Sequence, residues 1–165
     1  EGVSQVLTVT YTALIDQIHH FRGSVVGFSG DAITCWFDDD DGRRAGAAAL
    51  AMQRSMAGLE ELTVLGVALS PLRLKVAIAQ GKVRRFQVGS AETKYVDVLA
   101  GRLLDFVAAA ADVTKAGTIS VVATPNSKLE ELFEIVRNGA ETWDGVNRPI
   151  RKINWSTGRP VEELD

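Results

Sequence analysis

Asp31 is the acidic residue best placed for chemistry, because it is the one charged side chain in the stretch Gly-Ser-Val-Val-Gly-Phe-Ser-Gly-Asp-Ala-Ile-Thr-Cys-Trp-Phe from Gly23 to Phe37. Two short apolar, β-prone runs broken at Ser29-Gly30 predict a hairpin buried on at least one face, with Asp31 opening its second strand. A carboxylate there is costly if buried and unpaired, so it is hydrogen-bonded, half exposed at the tip, or facing a cation. Local chemistry alone favours a turn cap through its own backbone. Asp38-Asp39-Asp40-Asp41 could also attract a cation, but a solvated loop whose last members cap the next helix is the simpler account. His19 and His20 are neighbours at a helix end and point in different directions, so they read as a solvated last turn rather than a ligand pair. Cys35, the single cysteine, rules out an internal disulfide; it reads as a small core residue in a reducing, cytoplasmic setting.

The elements that position these groups follow from periodicity. Val3, Leu7, Leu14, Ile18 and Phe21 lie on one face of an amphipathic helix ending before Gly23. After the hairpin, an Ala-rich helix is predicted from about Arg43 to Leu59, slim enough for close approach to a sheet or another helix. Leu72, Leu74, Val76 and Ile78 alternate with Arg73, Lys75, Ala77 and Ala79, a strand with one buried face that ends at Gly81. Lys82–Val88 and Lys94–Ala100 read as a strand pair about Gly89-Ser90. Gly101 opens a helix over Leu103–Thr114, closed by Lys115-Ala116-Gly117 before a strand Thr118–Val122. Ser127-Lys128-Leu129-Glu130 is a capping box for a helix with Leu129, Leu132, Phe133 and Val136 inward. A hairpin about Asp144-Gly145 and a strand near Ile150–Trp155 complete the chain.

With 165 residues and 46% apolar content the chain reads as one globular domain, 1–165, able to bury its own core. Its net charge of -3 and scattered basic residues argue against a nucleic-acid partner. No segment reads as membrane-spanning or as a signal peptide. The element order is α+β and ferredoxin-like, with mostly antiparallel strands, helices packed on the sheet and the first strand missing.

The hairpin resembles the metal-binding hairpin of class III nucleotidyl cyclases, Gly-Gly-x-x-x-Lys-Phe-x-Gly-Asp followed by an apolar strand ending in Phe. Gly23, Phe28, Gly30, Asp31 and Ala32–Phe37 carry the match. A second family block, a Gly opening an Ala-rich helix that closes on Gly-x-Ile, is present as Gly101–Ile119, in the family's order and spacing. The resemblance implies a nucleotidyl cyclase fold and, as chemistry, attack of a ribose 3′ oxygen on the α-phosphate of a nucleoside triphosphate, a phosphorus-oxygen lyase reaction. It implies two Mg²⁺ ions, or Mn²⁺, held by two Asp residues, with Asp31 matching the second; in the family the first stands at the end of the first strand, and Glu1-Gly2-Val3 falls after it.

The same resemblance marks losses. Gly27 stands where the family has a purine-reading Lys, and Val98 where an Asp or Thr pairs with it, although a shift by one residue brings in Asp97. Asp105 replaces the ribose-orienting Asn, and Ala109 the Arg that stabilises transition-state charge. The first, degenerate domain of the soluble, bicarbonate-responsive cyclases shows a similar drift, but the Lys and Arg that hold its regulatory anion correspond to Gly27 and Ala108, so anion regulation is not expected. Family sites are built between two domains, which implies a second cyclase domain as partner. The leading expectation is the metal-binding half of a heterodimeric adenylate or guanylate cyclase, inactive alone. The alternatives are a non-catalytic, cyclase-derived interaction module and an active homodimeric adenylate cyclase.

Overall fold

A computed structural model describes residues 2–59, 63–64, 67–68, 72–122, 135–136 and 150–153. Helix α1 spans Gly2–His20; its inward stripe buries Leu14 and Ile18, and Phe21, just past its end, is buried beside them. Leu7, expected on the same face, is 42% exposed. The reason is length: at about 1.5 Å per residue the helix outruns the short hairpin beneath it, and its first turns project past the core. The hairpin is β1 (Ser24–Ser29) paired antiparallel with β2 (Ala32–Trp36). Pairing of Ser29 with Ala32 leaves Gly30 and Asp31 as the two loop residues. The turn is therefore one residue later than the sequence suggests, and Asp31 sits in the loop rather than in β2. Gly30 has φ 61°, whereas Asp31 is not left-handed, the II′ preference for Gly at the first loop position. A β-bulge between Val25 and Gly27 sharpens the local twist.

Helix α2, Arg43–Leu59, is buried continuously from Gly46 to Gln53. Short alanine side chains allow this, because α1 and the strand Val76–Ala79 both pack against it. Strands β3 (Thr63–Val64) and β4 (Val67–Ala68) form a small hairpin. Strand β5 is Val76–Ala79 only; residues 72–75 run up to it as coil, and the Leu74 carbonyl accepts from Gly117 N at 2.8 Å and from Gln53 Nε2 at 3.0 Å. Strands β6 (Arg84–Val88) and β7 (Val96–Ala100) make an antiparallel ribbon, followed by α3, Arg102–Val113. Gly117, at φ 79°, turns the chain from α3 into β8, Ile119–Val122. Strands β9 (Ile135–Val136) and β10 (Ile150–Ile153) complete a four-stranded sheet in the order β5-β8-β10-β9.

The β5–β8 pairing is parallel and the other ladders are antiparallel. Strand β8 is buried along its whole length. Val76, Ile78, Ile119 and Val121 pack into the core shared with α1 and α2, while Ala77, Ala79 and Val122 pack with Ala110 and Phe106 of α3. Both faces of the β5–β8 pair are thus covered, and β5 does not keep the single buried face that alternation predicts. Alanines on the second face are small enough to seat a helix. The hairpin joins the same core through Val25, Ile33, Cys35 and Phe37. Among the described residues no ladder links it to β5.

The helix expected from Ser127 with Val136 inward is corrected at its end, where Ile135 and Val136 pair with Ile153 and Lys152 as strand β9. Two β-branched residues beside an open strand edge gain more from the ladder than from another helical turn. Residues 127–134, the Asp144-Gly145 turn and residues 154–155 lie outside the described residues.

Candidate functional site

Asp31 is exposed at the hairpin tip, and no ion pair involves it among the described residues. Its backbone carbonyl accepts from the Tyr11 hydroxyl at 3.2 Å. The Tyr11 ring meets Phe28, on the other side of the turn, edge-to-face at 5.8 Å. Sequence reasoning passed over Tyr11. The signal was the gap of seven between Leu7 and Leu14, which Tyr11 fills three residues before Leu14 on the inward stripe.

The acidic loop serves α2. Asp40 carboxylate oxygens accept from the backbone N–H of Arg44 at 3.1 Å and Ala45 at 2.9 Å, and Asp41 accepts from Arg43 N–H at 3.3 Å. These are the orphan donors of a helix start, so the last two acids of the run are committed to capping, as expected. Arg44 returns the favour by donating to the carbonyls of Arg22 and Asp38, tying the end of α1 to the end of the hairpin. Among the described residues, no cluster of three or more His, Cys, Asp or Glu side chains could enclose a metal.

Gly27 lies next to the bulge, and a Cβ added there would find no atom within 4 Å. The space for a longer side chain is present. On the β6–β7 ribbon, register places Val98 opposite Phe86 and Val96 opposite Val88. These four share one face, and each is at least 41% exposed. Asp97 points to the other face, where it meets Arg85 Nη2 at 2.6 Å. That hydrogen bond is the first cause holding its carboxyl below the ordinary carboxylate range. Asp97 and Val98 therefore cannot serve one pocket, since adjacent strand residues face opposite ways.

Asp105 is exposed in the first turn of α3. Ala109, one turn on by count, is only 6% exposed and belongs to the packed face. The solvent-facing line through Asp105 continues instead with Ala108 and Asp112. Neither position supplies a cation. Cys35 is partly buried in β2, and burial pushes its thiol up to about 11.

No family model matches the chain, and no curated protein matches it in sequence. Solved structures do. The guanylyl cyclase Cya2 superposes with a TM-score of 0.77 at 25% identity, over 93% of this chain and 79% of that one. The adenylyl cyclase CyaB from P. aeruginosa gives 0.74 at 19% identity, over 92% and 81%. The dimeric guanylyl cyclase domain of the RhoGC fusion protein from the aquatic fungus Blastocladiella emersonii gives 0.73 at 13% identity, over 96% and 85%. The superpositions cover 92–96% of this chain in all three, and the chain has the fold of class III adenylyl/guanylyl cyclase catalytic domains.

Proposed function

We propose that this chain contributes the metal-binding half of a nucleotidyl cyclase site completed by a second cyclase domain, and that alone it forms little cyclic nucleotide. The observation that carries this is the contrast within the site: Asp31 is open at the hairpin tip, while Gly27, Val98 and Ala109 offer no polar side chain. An exposed carboxylate oxygen without a cationic partner suits Mg²⁺ or Mn²⁺, which bind through one or two carboxylates together with substrate phosphates. A divalent ion held there would offset triphosphate charge and polarise the α-phosphate. Asp31 is the ligand this chain supplies, and Asp105 is the polar group available toward the ribose. Both guanylyl and adenylyl cyclases are among the structural neighbours, so the substrate class is a purine nucleoside triphosphate.

The partner surface is the apolar face of the β6–β7 ribbon, with Phe86, Val88, Val96 and Val98, together with Phe28, which is 58% exposed. Apolar side chains gathered in this number on a surface mark an interface. Trp36, Leu104 and Phe106 are each partly buried and contribute less to that surface.

The test is cyclic nucleotide formation from ATP or GTP with Mg²⁺ or Mn²⁺, first with the purified chain and then with a second, intact cyclase domain. The chain alone should fall at least about a hundredfold below the pair, since losing one charge-stabilising group typically costs that much. Asp31→Ala should remove the pair's activity. Robust turnover by the chain alone overturns the proposal in favour of an active homodimer. A partner that is fully active alone, with no complex on sedimentation, leaves a non-catalytic interaction module; the missing polar groups at Gly27, Val98 and Ala109 favour that reading next.

A further inference from the structure

Residues Phe28–Asp31 are all exposed, so the core does not hold the hairpin tip in place. Its support comes from α1. Tyr11 is half-buried and touches both sides of the turn, its ring edge-on to Phe28 at 5.8 Å and its hydroxyl donating to the Asp31 carbonyl at 3.2 Å. The helix is itself anchored in the core through Leu14 and Ile18. These contacts join residue 11 to residues 28 and 31, so they tie the loop to the body of the domain rather than to its own strands.

We infer that Tyr11 is a positioning residue for the Asp31 carboxylate. The hydroxyl fixes the plane of the Asp31–Ala32 peptide, and with it the direction of the Asp31 Cα–Cβ bond. The ring contact restrains the same turn from its Ser29 side. A two-residue loop with a bulge farther down β1 can otherwise rock about its base, which would spread the carboxylate over several orientations. Metal binding through a single protein carboxylate loses affinity when that carboxylate must first be ordered. The inference rests on the proposed role of Asp31 as a metal ligand, and the experiment separates the two.

The ¹⁵N-labelled chain is titrated with Mn²⁺, and paramagnetic broadening is followed at the Gly30, Asp31 and Ala32 amides. Tyr11→Phe removes the hydroxyl and keeps the ring and its packing. It should raise the Mn²⁺ concentration for half-broadening by about two- to tenfold, the range one net hydrogen bond can carry. The midpoint of thermal unfolding should stay at the parent value, and amide exchange at the tip should quicken. Asp31→Asn should abolish the local broadening, and adding Tyr11→Phe to it should change nothing further. An unchanged Mn²⁺ midpoint in Tyr11→Phe, with Asp31→Asn still abolishing the broadening, overturns the positioning role and leaves the metal reading standing. Broadening that persists in Asp31→Asn overturns the metal reading, and the positioning role with it. Should Tyr11→Phe lower the unfolding midpoint without moving the Mn²⁺ midpoint, Tyr11 is a packing residue only.

Discussion

Two glycines four residues apart in the hairpin should respond to the same substitution in opposite ways. A Cβ added at Gly23 would lie 2.5 Å from Phe37 Cε1, 2.6 Å from its Cζ and 3.0 Å from Ile18 Cγ2. Carbon atoms pack at about 3.5–4.0 Å, so the Phe37 ring would have to retreat by about 1 Å into a core that contains the fully buried Ile18. Overpacking of this kind costs about 1–3 kcal/mol. At Gly27 the same Cβ meets nothing within 4 Å. Neither glycine is left-handed, so both substitutions gain the unfolded-chain entropy term of about 0.4–1 kcal/mol. That term cancels between them, and the difference is the overpacking cost itself. Gly27→Ala should therefore be slightly more stable than the parent, and Gly23→Ala less stable than Gly27→Ala by about 1–3 kcal/mol. Urea unfolding followed by circular dichroism reads this as a shift in midpoint at constant slope. Thermal midpoints should separate by about 2–4 °C for each kcal/mol in a chain of this size. Phe37→Leu should relieve most of the Gly23→Ala penalty, because residues in contact couple. Equal midpoints for the two alanine variants, or no coupling to Phe37, would refute the close approach of that ring to the Gly23 backbone.

Two further outcomes follow from other residues. Asp40→Ala removes the acceptor for two N–H groups at the start of α2 and the pairing of Asp40 with Arg44 Nε at 3.7 Å, and should cost about 1–2 kcal/mol in urea unfolding; Asp40→Asn, which keeps a carbonyl acceptor, should cost less. Cys35 has its folded pKa raised to about 11 by burial, above the ordinary value of 9.0, so its contribution to stability is complete below pH 9.0 and is lost as pH rises toward about 11. Alkylation of Cys35 at pH 8 should accordingly be slow in the native chain and fast in urea, measured by mass spectrometry.

The inward stripe of α1, the length of α2 and the place of α3 were legible because each depends on spacing along one element. The Asp40 cap was legible for the same reason, being contained within a few residues. The extent of β5 was not, because the strand-like alternation of Leu72 and Leu74 yields to a turn after α3 and to Gln53, both of which claim the Leu74 carbonyl. Ile135-Val136 likewise takes its state from β10, a neighbour that helix periodicity cannot see. At the site, counting from Gly101 leads to Ala109, yet the packing of α3 against β5 and β8 puts Ala109 inside and leaves Ala108 on the solvent line with Asp105.

By itself the sequence determined which residue types stand where: one carboxylate at a glycine turn, no Lys or Arg at Gly27, Val98 or Ala109, and the order of elements that places them. Only the tertiary structure decided that Tyr11 reaches the Asp31 carbonyl, that Asp97 belongs to Arg85 on the opposite face from Val98, and that Phe86, Val88, Val96 and Val98 form one exposed surface. The first set consists of identities and short-range periodicities, which hydrogen-bond geometry within one helix or hairpin converts into local structure. The second depends on strand register and on the angle at which α1 crosses the hairpin, and those are set by packing among residues far apart in the chain.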